Sequence, residues 1–368
     1  MRQSGKKEWV AVVIAALLTV VALVVVLVVR YQREEGLRFV RRMGAGINIG
    51  NSLDVKGVLE HKPDASVQDF ETFWNNPPIT QALFEAVREK GFRTVRIPVS
   101  WGEHMQEDGT VDSAWMQRVE QVVDWALDSG LYVILDTHHE AWLVPTREKE
   151  AEVTAQLCCL WEQIAQTFAD RDGRLVFESM NEPRLVGTDE EWTSGTEEAR
   201  AVVNRMNEAF VLTVRACGGN NETRWLMLPA YATQFRETAL RELELPDDPN
   251  LIVSVHAYLP YEFALGGQTA EWDAGDPEDT EKIDELMERI DRLFLSRRIP
   301  VMITEFGCID QDNSDECLEW AQYYTGLAAE KGVGYVWWDS GDGFQLIDRE
   351  TNEWTQPQLA DLLVRQTT

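Results

Sequence analysis

What constrains this chain most is an eightfold recurrence. From about Arg42 onward a short apolar run ends in polar or charged residues, a loop follows, and a longer segment of helical periodicity comes next. The runs are MGAGINIG from Met43, TVRIPV from Thr94, LYVILDTH from Leu131, RLVFESMN from Arg174, RWLMLPA from Arg224, LIVSVHAY from Leu251, IPVMITEFG from Ile299 and VGYVWWD from Val333. Between the second and third runs, Val119, Val122, Val123 and Ala126 share one helical face and Gly130 supplies a stop. Further helices are expected to start near Pro78, Ala151, Thr196, Thr280 and Asp315. Eight strand-helix units over residues 42–368 specify an α/β chain folded as a (β/α)8 TIM barrel. An open doubly wound sheet would carry a phosphate-binding glycine loop, and neither GxGxxG nor a P-loop is present.

Ahead of the barrel, residues 1–8 form a short tail. Trp9 to Val29 is an uncharged apolar run of 21 residues that follows Lys6, Lys7 and Glu8 and stops at Arg30. About 20 residues cross a hydrocarbon core, whereas the apolar core of a cleaved signal is about 7 to 15 residues long and ends at small residues. The run therefore reads as an uncleaved transmembrane signal anchor, with residues 30–41 as a tether. Arg30, Arg33, Arg38, Arg41 and Arg42 outnumber the basic residues before the run, so charge alone does not set the orientation.

A formal charge of −29 disfavours nucleic acid and anionic lipid surfaces as ligands. The five cysteines are odd in number, scattered and without a CxxC pair, which signals neither a zinc site nor a disulfide framework, though Cys308 and Cys317 are spaced so that they could pair. No cofactor motif is present, and the chain is expected to be a monomer.

In such barrels chemistry gathers at the carboxyl ends of the strands. Those ends carry Arg96, His138 and His139, Asn181 and Glu182, His256 and Tyr258, Glu305, and Trp337 and Trp338. Two carboxylates on different strands, with an arginine, histidines and a tyrosine between them, suit glycosidic bond cleavage. One carboxyl must be protonated to assist the leaving oxygen, and the other ionised to attack the anomeric carbon or activate water. Glu182 is the better acid/base, because Asn181 beside it can hold a sugar hydroxyl and an apolar strand raises its pKa. Glu305 is the better nucleophile, since Arg96 and Tyr258 are placed to keep it ionised. Glu178, four residues before Glu182, shares its face and is expected deeper in the barrel.

Taken in order, GINIGNSLD, FETFWNNPPIT, TVRIPVSW, VILDTHHE, FESMNEP, SVHAYLPYEFA, ITEFG and WWDSGDGFQLIDR resemble the motifs of glycoside hydrolase family 5, the clan A cellulases, over residues 42–361. The resemblance implies a retaining mechanism with Glu182 as acid/base and Glu305 as nucleophile. It implies Arg96, His138, Asn181, His256 and Tyr258 as their support, Trp338 as the floor of the subsite beside the cleaved bond, and His139 and Asn51 as sugar-binding positions. Ile47, Asp136, Thr137 and Ser340 depart from the family's usual residues, which bears on specificity rather than on the chemistry.

Trp115, Trp125, Trp161 and Trp320 fall on helices and are expected in the core; Trp74, Trp142, Trp192 and Trp272 fall in loops that open toward the cleft, with Trp142 taken as a substrate contact. A metal reading of DTHHE fails on alternation, because neighbours on a strand point to opposite faces and His138 and His139 would diverge. The expected activity is endo-acting cleavage of β-1,4-linked glucan, with β-mannan or xylan cleavage, or a non-catalytic carbohydrate-binding barrel, as alternatives. A polymeric substrate places the domain outside the cell, on the membrane by its anchor or secreted if the anchor is cleaved.

Overall fold

The computed structural model describes residues 34–366, together with Trp9, Ile14 and residues 18–20. Eight strands close into one parallel barrel in sequence order: β1 Ala45–Asn48, β2 Thr94–Ile97, β3 Tyr132–Asp136, β4 Leu175–Glu178, β5 Leu226–Gln234, β6 Leu251–His256, β7 Val301–Phe306 and β8 Gly334–Trp337. β8 pairs back onto β1 through Ile47 and Trp337. All eight apolar runs therefore became strands.

The period of two divides each strand between two environments. Outward residues such as Ile47, Val95, Val133, Leu175, Val253 and Ile303 pack under the surrounding helices in one large core. Inward residues form layers. Ile134, Val176, Met227, Ile252, Met302 and Val336 fill the amino-terminal end of the barrel. Above them comes a buried polar layer of Asn48, Arg96, Glu178, Ser254 and Thr304. Beyond that layer the strands open into a cleft.

Helix Ser113–Asp128 buries Val119, Val122, Val123 and Ala126 as its periodicity requires, and Gly130 after it takes the left-handed φ of +81° that ends such a helix. Helices Gln81–Lys90, Glu150–Thr167, Glu197–Ala216, Pro277–Leu293 and Ser314–Lys331 begin within three residues of the expected starts. A last helix, Pro357–Arg365, was not signalled; its Leu359, Ala360 and Leu363 are buried against the barrel.

One correction concerns the segment ahead of the barrel. Only residues 34–41 of the expected tether lie within the described part, and they are not free chain: residues 34–43 form a helix whose Phe39, Val40 and Met43 plug the amino-terminal end of the barrel. Its apolar face was hidden by the surrounding arginines and glutamates. The expected transmembrane run lies mostly outside the described residues; Trp9, Ile14 and residues 18–20 are helical and exposed. Among the described residues no helix is long and apolar enough to cross a membrane. The cysteines carry free thiols, with Cys308 and Cys317 buried, so the possible Cys308–Cys317 bridge is not formed.

Candidate active site

Arg96 is the hub. Fully buried on β2, it donates from Nε to Glu178 at 2.6 Å, from Nη1 to Glu305 at 2.7 Å and Asn48 at 3.0 Å, and from Nη2 to Asp136 and Asn181, both at 2.7 Å. One guanidinium thus ties β1, β2, β3, β4 and β7 together across the barrel. A buried cation in such a fork needs anionic partners to offset its desolvation, and here three carboxylates supply them. Glu178 is the deepest of these. Its other oxygen accepts from Ser254 Oγ and from Thr304 Oγ1 at 3.4 Å, so it is a structural anion and not a second acid.

Glu305, at the end of β7, receives the Arg96 bond on Oε1 and the Tyr258 hydroxyl on Oε2 at 3.2 Å. His256 Nδ1 lies 3.5 Å from the same Oε2 and 3.0 Å from Glu182 Oε1. An oxygen of Glu182 and one of Glu305 approach within 4.8 Å of each other. Burial raises both carboxyl pKa values above the ordinary range. Two carboxyls this close cannot both ionise cheaply, so the pair favours holding one proton between them. The fully buried Arg96 bond to Glu305 is shorter than the 3.3 Å contact of Arg184 with Glu182, which favours the proton on Glu182. Burial lifts the Tyr258 phenol well above its usual value, so it stays a donor, and lowers the His256 imidazole, which stays neutral.

His138, His139 and Asn181 share a rim with Glu182. His138 Nδ1 sits 2.8 Å from Asp136 Oδ2, and burial holds the ring neutral. Asn181 Oδ1 accepts from Arg96, and Asn181 with His138, His139 and Glu182 lines a cavity of about 190 Å³. Trp338 lies parallel to the His138 ring at 5.9 Å, while Trp337 beside it is core. Asn51 is half-buried on the loop after β1, in a left-handed turn at φ +57°, with its carbonyl held by Asn76 Nδ2 at 2.8 Å. Trp142 turns its indole N–H onto Glu140 at 2.6 Å and packs beside Gly102. Trp74 presents an edge to His139 at 5.8 Å. Trp192 is half-exposed, with Arg184 over its ring at 4.2 Å. Trp272 is corrected: only 3% exposed, it packs against Tyr323 and lies in the core.

Strand alternation does not extend to His138 and His139. His138 and His139 do not diverge; their rings lie 4.4 Å apart, because β3 ends at Asp136 and the chain beyond it is no longer pleated. One ligand atom of each lies near one from Asp54.

Several functional positions escaped the sequence reading. Arg184, directly after Pro183, contacts Glu182 through its side chain and through a 3.0 Å bond to the Glu182 carbonyl, and is itself held by Glu191 at 3.1 Å. Arg349 binds the Gly50 carbonyl at 2.6 Å, Ser52 Oγ at 2.9 Å and Asp339 Oδ1 at 2.8 Å, knitting the β1 loop to the β8 loop that carries Trp338. Ala232 N–H donates to the Pro183 carbonyl at 2.9 Å and Thr233 Oγ1 to the Asn181 carbonyl, bracing the segment that presents Glu182. Both of those residues have left-handed φ, of 50° and 51°, which neither residue type signals. Arg349 was legible as the last residue of WWDSGDGFQLIDR; Arg184 had only its position beside the acid to mark it.

The arrangement presents, on rigid strand ends, one carboxyl biased toward its neutral form and one oriented by donors, at a spacing close to the roughly 5 Å of retaining glycosidases. The family model described as cellulase (glycosyl hydrolase family 5) matches residues 58–343. Endoglucanase A of Clostridium longisporum is 41% identical over 337 residues, 89% of this chain and 65% of that protein, so the chain spans just under two thirds of that relative's length. Endoglucanase B of Ruminococcus albus is 42% identical over 88% of this chain and 78% of its own length. Among solved structures, a xyloglucan-specific endo-β-1,4-glucanase from a metagenomic library, in complex with cellotriose, superposes with a TM-score of 0.85 at 35% identity, covering 90% of this chain and 99% of that one. A lichenase from Caldicellulosiruptor sp. F32 with bound cellotetraose gives 0.86 at 33% identity, covering 90% and 95%.

Proposed function

This chain belongs to the cellulase family, glycoside hydrolase family 5, and from that premise we propose that it cleaves β-1,4-linked glucan chains internally with retention of configuration. The observation that carries the reading is the Glu182–Glu305 pair, within 4.8 Å and bridged by His256 at the carboxyl ends of β4 and β7.

In the first step Glu305, oriented by Arg96 and Tyr258, attacks the anomeric carbon while Glu182 gives its proton to the departing glycosidic oxygen. A glycosyl ester on Glu305 results, and the sugar chain on the far side leaves as an alcohol. In the second step the now ionised Glu182 takes a proton from water, the water oxygen bonds to the anomeric carbon, and Glu305 is released as a carboxylate. His138, His139 and Asn181 supply hydroxyl contacts, and Trp338 supplies an apolar face on which a pyranose ring can stack. Relatives that act on xyloglucan and lichenan support a glucan backbone as the substrate class.

The apolar run Trp9–Val29 is assigned to a membrane anchor, with the enzyme acting outside the cell as a monomer. The anchor's length and its exposed, helical described residues support this. The helix of residues 34–43 lies beneath the barrel, at the end opposite the cleft, so a chain arriving there leaves the cleft facing away from the bilayer.

Carboxymethylcellulose, mixed-linkage glucan, xyloglucan, mannan and xylan, assayed by viscosity and by reducing ends, test the reading. Rapid loss of viscosity on the glucans with few new ends is expected. Activity on none of the glucans, or release of only short products from chain ends, would refute it.

A further inference from the structure

The cleft holds a second constellation besides the paired glutamates. Asp54 lies on the loop after β1, and His138 and His139 on the loop after β3; one ligand atom from each lies within 4.8 Å of the other two. His138 Nδ1 faces an acceptor, Asp136 Oδ2, at 2.8 Å, so Nδ1 carries the proton and Nε2 presents a bare lone pair. That nitrogen is 3.9 Å from Asp54 Oδ2, beyond hydrogen-bond reach. Asp54 is wholly buried; its Oδ1 accepts from the Ser52 N–H at 2.8 Å, but its Oδ2 has no hydrogen-bond partner. The His138 lone pair therefore faces a buried carboxylate oxygen that has no partner, an arrangement that a donor or a cation satisfies.

Distances and ligand types match a cation. Zinc-ligand bonds of about 2.0–2.2 Å put tetrahedral neighbours about 3.4 Å apart, so the 3.9 Å gap closes by about half an ångström. The Asp136–His138 hydrogen bond reproduces the carboxylate-histidine relay that orients metal-bound imidazoles and raises their basicity. His138 and His139 also line a cavity, together with Glu140, through which an ion could reach them. Lys56, on an exposed side chain, and Arg184 line it too, and with the buried Arg96 they are the opposing charges. The group Glu182, His256 and Glu305 meets the same spacing, but its carboxylates are already engaged by His256 Nδ1, Arg96 and Tyr258, leaving only His256 Nε2 without a partner.

We propose that Asp54, His138 and His139 bind one divalent transition-metal ion, with zinc the best match to two imidazoles and a carboxylate, and that this ion competes with glucan for the cleft. Binding of the ion stands on the geometry alone; only the competition rests on the function proposed above.

Calorimetric titration of the full chain, purified without a polyhistidine tag, with zinc chloride tests the site, and cobalt chloride adds the visible bands of a four- or five-coordinate ion. One zinc per chain is expected. Asp54→Asn and His139→Gln, checked for unchanged melting, should each weaken binding at least tenfold, and Glu305→Gln should leave it unchanged. Absence of binding, or full binding in both Asp54→Asn and His139→Gln, overturns the site. Loss of binding in Glu305→Gln overturns it equally, by moving the ion to the catalytic pair. Cellotriose should raise the apparent zinc Kd in proportion to its concentration; zinc binding unmoved by saturating cellotriose overturns the competition. A titration with cellotriose alone separates the two claims, because failure of the sugar to bind refutes the glucanase reading and leaves the zinc stoichiometry to decide the site.

Discussion

Replacing Arg184 with Met should move the alkaline limb of the kcat/KM pH profile upward by about one pH unit. Arg184 Nη1 stands 3.3 Å from Glu182 Oε2, with the two side chains 16% and 17% exposed. Unit charges about 4 Å apart interact by about 1 kcal/mol in water and about 4 kcal/mol at an effective dielectric of 20. A pair with this exposure falls between those limits, at about 2 kcal/mol, or about 1.5 pKa units at about 1.4 kcal/mol per unit. Water entering the space left by the guanidinium trims this toward one unit. The sign follows from the opposing influences on Glu182: burial raises its pKa and Arg184 lowers it, so removing the arginine raises it further. Glu191, released from its 3.1 Å contact with Arg184, adds negative potential in the same direction. A catalytic acid with a higher pKa keeps its proton to higher pH, so the alkaline limb moves up while the acid limb, set by Glu305, stays. The assay is kcat/KM on cellopentaose between about pH 4 and pH 10, since an unactivated leaving group depends on the acid throughout. An alkaline limb that stays in place or moves down would refute the assignment of Arg184 and Glu182.

Other consequences are direct. Tyr258→Phe removes one donor from Glu305 and should lower kcat/KM by about tenfold, the value of one hydrogen bond to a charged group, without changing the urea midpoint; a loss under twofold would contradict the role. Glu178→Gln leaves Arg96 short of a buried anion and should destabilise the fold by about 3 kcal/mol in urea unfolding; a change below about 1 kcal/mol would place Glu178 outside the polar layer's energetics. A Cβ on Gly50 would come 2.6 Å from the Trp338 ring, so Gly50→Ala should shift the tryptophan and raise KM for cello-oligosaccharides severalfold, with its fluorescence quenching by sugar reduced. An unchanged KM would show that Trp338 does not floor a subsite.

The barrel was legible because parallel strands need apolar residues on both faces, and eight such runs with helical segments between them leave few topologies open. The site was legible for the same reason, since strand ends are fixed once strands are fixed, and Arg96, Glu182, His256, Tyr258 and Glu305 converge where the barrel requires. Failures came where the strand rule stops applying. His138 and His139 follow the last residue of β3, so alternation misdirected them, and a loop tryptophan such as Trp272 takes its burial from a neighbouring helix that local sequence does not reveal. Residues 34–43 carry a charged sequence whose few apolar members find a partner only once the barrel exists. Arg184 acts through a contact made within its own loop, and Thr233 through a backbone conformation its residue type disfavours.

In the mechanism proposed above, Glu305 carries the sugar between the two chemical steps. Incubation with a 2-deoxy-2-fluoro-β-cellobioside bearing a good leaving group should trap the glycosyl ester, because the fluorine slows both steps and the activated leaving group preserves the first. Peptide mass analysis should then find the added cellobiosyl mass on the peptide containing Glu305. A label on Glu182 or on any other residue, or no label while the activated cellobioside without fluorine is turned over, would contradict it.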